Sequence, residues 1–278
     1  MTPVFSVIIP THGRPEYLAA AVASVRQQTF TDFECIVVDD ASEQPATLPD
    51  DARFRLIRRD VNGGPPAARN TGIAAATGRY LAFLDDDDAW QPRRLEVAAA
   101  AHARAPVVVC WQTTMGMDPE ETSGRVLSGD VADEILDGMI PHLGATTIER
   151  TAAPLFDERY EASDDVEWWL RVAHECKVET TRYVGLLYRA HSAPRTRTGH
   201  RNRIHDASML FDQYDEWFRA HPRAKAFRLK RMGLSAVQAN DRRLAVRCFI
   251  DSLRLRPEFR TAWHALCAAV PRRQHAHG

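Results

Sequence analysis

No stretch of this 278-residue chain approaches the ~20 consecutive apolar residues needed to cross a bilayer. Its opening, MTPVFSVIIP, has neither the basic flank nor the small-residue cleavage site of a secretory leader. The expectation is a cytoplasmic protein, with any membrane contact peripheral and at the inner face. Cysteine is sparse: Cys35, Cys110, Cys176, Cys248 and Cys267 are odd in number, contain no C-x-x-C pair and sit mostly in apolar runs. That excludes a disulfide framework or a cysteine zinc site and fits reduced thiols. No G-x-G-x-x-G follows the first apolar run, where Thr11-His12-Gly13-Arg14 stands instead, so a dinucleotide-binding fingerprint is excluded.

Net charge is nearly absent too, at −1, but its distribution is uneven. Through Arg195 there are 19 Lys/Arg against 30 Asp/Glu, and beyond it 17 against 7. An acidic body suits a site that concentrates a divalent cation. The basic tail suits an anionic membrane, a nucleic acid or the body itself, or is an ordinary solvated helical surface. With 45% apolar residues, the chain can bury one full α/β domain plus an appendage.

Phe5 to Pro10 is a short, continuously apolar, β-branched run, as expected of a strand covered on both faces. Glu16 to Gln28 carries apolar residues at helical spacing, and Phe33 to Val38 is a second buried strand ending at Asp39-Asp40. This is a βαβ unit, whose ligands gather beyond the carboxyl ends of its strands. A short strand at 55–58, a helix over 66–77 stopped by Gly78, and a central strand over 80–84 follow; the last runs straight into four aspartates. The pattern predicts a helix over 92–103, a strand over 107–111, a less regular stretch through Gly144 and a helix over 164–176. Residues 192–200 read as a basic, mobile loop, either lid or domain boundary. From Asn202 to Val270 only helical signals occur; the segment from Leu244 to Pro257 resembles half a tetratricopeptide repeat and reads as a cap.

Asp85-Asp86-Asp87-Asp88 is the strongest local signal. Four adjacent carboxylates at a strand mouth repel one another unless a hard cation, Mg²⁺ or Mn²⁺, sits among them; the alternative is an acidic solvent loop. Asp39-Asp40 can accept from a base N–H, bind ribose, or cap the following turn. Asn62-Gly63-Gly64 and the helix start behind it let backbone approach a ligand closely. Arg69 suits a salt bridge to the aspartates or a phosphate. Asp164-Asp165 offers a general base for a hydroxyl or an N-terminal helix cap, and His191 a ligand or a solvated side chain.

Together, SVIIPTHGRPEYL, SVRQQTFTDFECIVVDDAS, NGGPPAARNTGIAAATGRYLAFLDDDDAW and FDERYEASDDVEWWLR resemble the inverting family 2 glycosyltransferases of GT-A fold, in four ordered blocks across residues 3 to 192. The resemblance implies a Rossmann-like mixed sheet flanked by helices over residues 1–195, with 1–100 binding nucleotide and 101–195 facing the acceptor. Residues 196–278 form a helical extension outside it. It further implies a hexosyltransferase using Mg²⁺ or Mn²⁺, with Pro10, Thr11, Arg14, Asp40, Arg69, Asp86 and Asp87 about the donor. By the same likeness Asp88 and His191 hold the metal and Asp165 is the catalytic base. Gly13 stands where many members carry Asn, and Asp164 where many carry Glu. The implied partners are a UDP- or dTDP-sugar donor and a glycan, lipid-linked or small-molecule acceptor. Nucleic acid is not among them; peripheral membrane contact through the basic tail and a homodimer stay open. The alternatives are a nucleotidyltransferase, which would carry a Gly/Arg/Lys-rich loop where only Gly13 and Arg14 stand, and a non-catalytic nucleotide- or carbohydrate-binding module.

Overall fold

The computed structural model describes residues 2–119, 122, 124–136, 138–190 and 197–269. They form two units: an α/β unit (1–135, 139–160 and 164–192) and a helical unit (136–138, 161–163 and 193–278). The expected boundary after Arg195 lies outside the described residues.

The α/β unit is built on a nine-stranded mixed sheet of order β3-β2-β1-β4-β8-β6-β9-β5, with β7 also on β9. Four strands are mutually parallel: β1 (Phe5–Thr11), β2 (Phe33–Asp39), β3 (Phe54–Arg58) and β4 (Tyr80–Phe83). Every residue of β1 is buried, because helices cover both of its faces. Pro10 is tolerated there for a local reason. Ile8 accepts from Leu84 N on the β4 side, and residue 10 faces the same way, beyond the last pair with β4 at Ile8↔Phe83. Its missing N–H therefore breaks no ladder bond.

Two crossovers follow from punctuation in the chain. Helix α1 (Pro15–Arg26) starts with proline at N1 and buries Leu18, Ala21, Val22 and Val25 on the sheet. Helix α2 (Gly64–Ala75) comes so close to β1 that a Cβ on Gly72 would lie 2.5 Å from Ile8 Cγ2. Helix α2 ends at Ala75, before the expected stop at Gly78, and its carbonyls there are taken partly by Ala76 N.

Past β4 come β5 (Ala89–Trp90), α3 (Arg94–Ala101), β6 (Val107–Thr114), β7 (Ser128–Gly129), α4 (Ala132–Leu136), β8 (Thr146–Glu149), α5 (Asp164–Glu175) and β9 (Val178–Tyr188). Antiparallel β8 and the eleven-residue β9 are not legible as strands in the sequence. TTIE is short, and VETTRYVGLLY mixes polar residues into its run because only part of β9 is covered. On α5, Trp168 and Trp169 are fully buried; Trp168 stacks on Phe156 at 5.3 Å and donates its indole N–H to Pro154 O at 2.9 Å. Burying two tryptophans fixes the helix that carries Asp164 and Asp165.

The helical unit comprises α6 (Arg197–Gln213), α7 (Asp215–Ala220), α8 (Pro222–Gln238), α9 (Arg242–Leu255) and α10 (Phe259–Ala269). Residues 197–200 open α6 and are therefore helix where a basic loop was expected; the remainder of that loop lies outside the described residues. Between α8 and α9, Asn240 takes a left-handed φ of 63° and Asp241 caps α9 by accepting from Leu244 N at 3.0 Å. Ala236, Ala245, Phe249 and Ala268 form this unit's own small core. Among the described residues, no helix is long and apolar enough to cross a membrane.

Candidate functional site

The parallel register brings the carboxyl ends of β1, β2 and β4 to one edge of the sheet, with Thr11 opposite Asp39 and Ile8 opposite Phe83. Three residues beyond that second pair, Thr11 Oγ1 donates to Asp86 Oδ2 at 2.7 Å. Above these ends lies a cleft of about 360 Å³, and Pro10, Thr11, Arg14, Asp40, Arg69, Asp86 and Asp87 all line it. That volume is in the range of small-ligand pockets. Gly13, in the turn after β1, has φ +66°, a conformation that glycine and asparagine adopt most readily.

The two carboxylates that end β2 do different work. Asp39, fully buried, accepts from Ser42 N (2.9 Å) and Ala46 N (3.0 Å) and so holds the turn after the strand. Burial works against its charge, but these donors and Arg58 hold its carboxyl below the usual range. Asp40 faces the cleft and accepts from Gly64 N at 2.7 Å, from Gly63 N and from Arg59 Nη1. The free N–H groups at the start of α2, available in principle to a phosphate, are thus spent on Asp40.

Side-chain donors within the protein meet three of the four consecutive aspartates. Asp85 receives Arg69 Nη2 at 2.7 Å, Asp86 receives Thr11 and Arg14, and Asp87 receives Arg14 Nη1 at 2.9 Å. Burial opposes the charge of Asp85, yet Arg69 holds its carboxyl low; burial pushes the Asp86 carboxyl up. Asp88 is the exception. It is 1% exposed, its Oδ1 accepts from Arg189 N at 2.9 Å, and its Oδ2 has no hydrogen-bond partner among the described residues. Burial pushes its carboxyl up to about 7.

That oxygen lies near one other carboxylate oxygen and one imidazole nitrogen. Asp88 and Asp85 bring their Oδ2 atoms to 3.7 and 3.9 Å from His142 Nε2, and one ligand atom from each residue fits within a 4.8 Å cluster. Two carboxylates, one with a buried, unsatisfied oxygen, suit a hard divalent cation. His142 Nδ1 accepts from Gly144 N at 3.1 Å, which leaves the ring proton on Nε2, toward the carboxylates. A cation could be held by the two carboxylates once Asp88 is ionised; the imidazole could join only by giving up that contact and proton.

The position of His142 is set from below. Its turn is held by Trp90 Nε1, which donates to Gly144 O at 2.8 Å, and by Arg94 Nη2, which donates to Ala145 O at 2.8 Å. Arg94 is 1% exposed and lies over the Trp90 ring at 5.6 Å. No motif marks His142, which lies in the irregular stretch of the sequence and reaches the site only through this turn. His191 lies outside the described residues.

Arg69 links the strand ends to α5. It is 6% exposed and donates to Asp164 Oδ2 at 2.6 Å as well as to Asp85. Burial alone would lower its basicity, but Asp85 and Asp164 raise it. Burial pushes the Asp164 carboxyl up to about 6, against the pull of Arg69. Asp164 is thereby tied into the frame, while the partly exposed Asp165 accepts a local hydrogen bond from Val166 N at 2.8 Å and has no ion pair among the described residues. Of the pair, Asp165 retains the freer carboxylate.

This arrangement, an acidic cleft at the carboxyl ends of parallel strands, is that of an α/β protein with a small-ligand site. Residues 6–143 match the family model "Glycosyl transferase family 2", and the chain belongs to that family. It is 38% identical over 122 residues to the succinoglycan biosynthesis protein ExoW of Rhizobium meliloti, covering 41% of this chain and 38% of that one. It is 34% identical over 96 residues to an Escherichia coli protein named UDP-Glc:alpha-D-GlcNAc-diphosphoundecaprenol beta-1,3-glucosyltransferase WfgD, covering 33% and 38%. The chain spans less than half the length of these curated relatives. Among solved structures, it shares its fold with S. aureus TarS 1-349 in complex with UDP-GlcNAc, at TM-score 0.63 and 17% identity, covering 94% of this chain and 83% of that one. The GT-A fold expected from the motifs is the fold observed.

Proposed function

We propose that this chain moves a hexose from a nucleoside-diphosphate sugar, UDP- or dTDP-linked, to an acceptor hydroxyl, with inversion at the anomeric carbon. The observation that carries this is the convergence of Thr11, Asp40 and Asp85 to Asp87 on one cleft, with α5 fastened to it through Arg69. The relatives support the donor class: WfgD is named for a UDP-glucose donor, and the TarS structure holds UDP-GlcNAc. WfgD's named acceptor is a lipid-linked sugar, and ExoW's name places it in glycan synthesis. A lipid-linked or glycan acceptor is the class proposed here.

In this reading Pro10, Thr11 and Asp40 border the nucleotide, while Asp86 and Asp87 lie along the ribose and sugar with Arg14 beside them. Asp85 and Asp88 would hold Mg²⁺ or Mn²⁺, with His142 next to them and His191 as a further ligand. Such a cation, when bound, neutralises charge on the leaving diphosphate. Asp165 accepts the proton of the acceptor hydroxyl. That oxygen's lone pair forms the bond to the anomeric carbon as the carbon's bond to the diphosphate oxygen breaks on the opposite face, which inverts the centre.

The test is to incubate the chain with UDP- and dTDP-sugars, Mn²⁺ and lipid-linked or glycan acceptors, and to identify the released nucleotide and the product anomer. Release of nucleoside diphosphate with an inverted product is expected; pyrophosphate would indicate nucleotidyl transfer instead. Asp165→Asn should slow transfer by ~10²–10⁴-fold with nucleotide affinity retained. Transfer at the wild-type rate in that variant would remove Asp165 from the role of base.

A further inference from the structure

The last described helix, α10, presents an apolar stripe to solvent. Phe259 is 88% exposed, Trp263 59% and Leu266 62%. At 100° per residue, positions i, i+4 and i+7 fall within about 60° of arc, so the three side chains share one face. The opposite face is used: Thr261 and Ala268 are buried in the helical unit. Three large exposed apolar side chains in eleven residues form more than a scattering of surface hydrophobics.

The charge bordering the stripe is mainly basic. Arg256 and Arg260 flank its first residue, and both are exposed. The acid between them, Glu258, is engaged by Lys230 Nζ at 2.8 Å and by Thr261 Oγ1 at 2.6 Å, which holds its carboxyl low. No Asp or Glu occurs from Phe259 to Gly278, whereas Arg272 and Arg273 follow the helix in the sequence. A second copy of the same face would bring these arginines against their own like. An apolar Phe/Trp/Leu stripe bordered by arginine instead matches the layered chemistry of an anionic bilayer surface, in which rings sit at headgroup depth and guanidinium groups meet phosphate.

We infer that α10 is a peripheral membrane-docking helix that lays Phe259, Trp263 and Leu266 into the interface of an anionic bilayer. This does not depend on the proposed transfer reaction and is tested without it. The full chain is floated with vesicles of phosphatidylcholine alone and with vesicles containing about a third phosphatidylglycerol. Binding is expected to the anionic vesicles and to be weakened by raising NaCl from ~0.1 to ~0.5 M. Combined Phe259→Ser, Trp263→Ser and Leu266→Ser should lower the partition coefficient at least tenfold, with the melting temperature unchanged because all three side chains are exposed. Combined Arg256→Gln and Arg260→Gln should lower it about tenfold on anionic vesicles only. The inference is overturned if neither vesicle binds the wild type, or if the triple variant binds as well as the wild type. It is equally overturned if light scattering shows a dimer that the triple variant dissolves, since the stripe would then cover a second copy.

Discussion

At the residue scale, the acidic cluster shows how charge is distributed before any ligand arrives. Arg69, Arg14 and Thr11 each take one or two of the carboxylates, and of the four only Asp88 keeps a buried oxygen without a donor among the described residues. Asp88→Asn is therefore expected to leave the metal-free melting temperature unchanged or higher, while abolishing the rise expected of the wild type with Mn²⁺; differential scanning calorimetry with and without Mn²⁺ checks both. Arg69→Met should cost ~3–5 kcal/mol in urea unfolding, because it leaves Asp85 and Asp164 without their shared partner in a buried site. A pH effect belongs to His102, which is 9% exposed, stacks on Tyr80 at 3.9 Å and faces Thr147 Oγ1 at 2.9 Å. Burial lowers its pKa from 6.5 to about 4, with Arg94 and Arg79 acting in the same direction. The unfolded chain then binds a proton that the fold does not, so stability is complete above pH 6.5 and drains away as pH falls toward about 4. In His102→Leu the difference from wild type should shrink across that window, as measured by urea midpoints at pH 7, 5.5 and 4.5.

At the element scale, the site depends on how closely helices and turns approach the sheet. Helix α2 lies on β1 at Gly72, where even a methyl group has no room; Gly72→Val is expected to cost ~1–3 kcal/mol by pushing α2, and Arg69 with it, off the strand. Urea titration gives the loss, and a parallel fall in nucleotide affinity would show that the site moved too. The βαβ opening, the strand that runs into the aspartates and the tryptophan helix are legible in the sequence because each is a continuous apolar run or a clear helical period. The strands β8 and β9 are not: one is four residues long, and the other alternates covered and open positions that no local pattern records. His142 is illegible for a related reason. Its place is set by Trp90 and Arg94 gripping the carbonyls of Gly144 and Ala145 from 51 to 54 residues away.

At the scale of the whole molecule, ligand binding and stability are linked. A preferred nucleoside diphosphate with Mn²⁺, at about a hundred times its dissociation constant, should add ~2.7 kcal/mol to the unit that binds it and raise its melting temperature by several degrees. A thermal-shift series over uridine, thymidine, guanosine and adenosine diphosphates checks this, and an equal response to all four would deny base selectivity. The uneven charge, acidic through Arg195 and basic beyond, was readable from composition alone, as were the parallel core and the clustering of aspartates at a strand end, because composition and hydrophobic period are local properties of a chain. Which aspartate keeps one oxygen without a donor among the described residues, which of Asp39 and Asp40 faces the cleft, and which face of α10 stays bare were decided only in three dimensions. Those outcomes depend on donors, walls and neighbours far away along the chain, and only folding brings them within reach of one another.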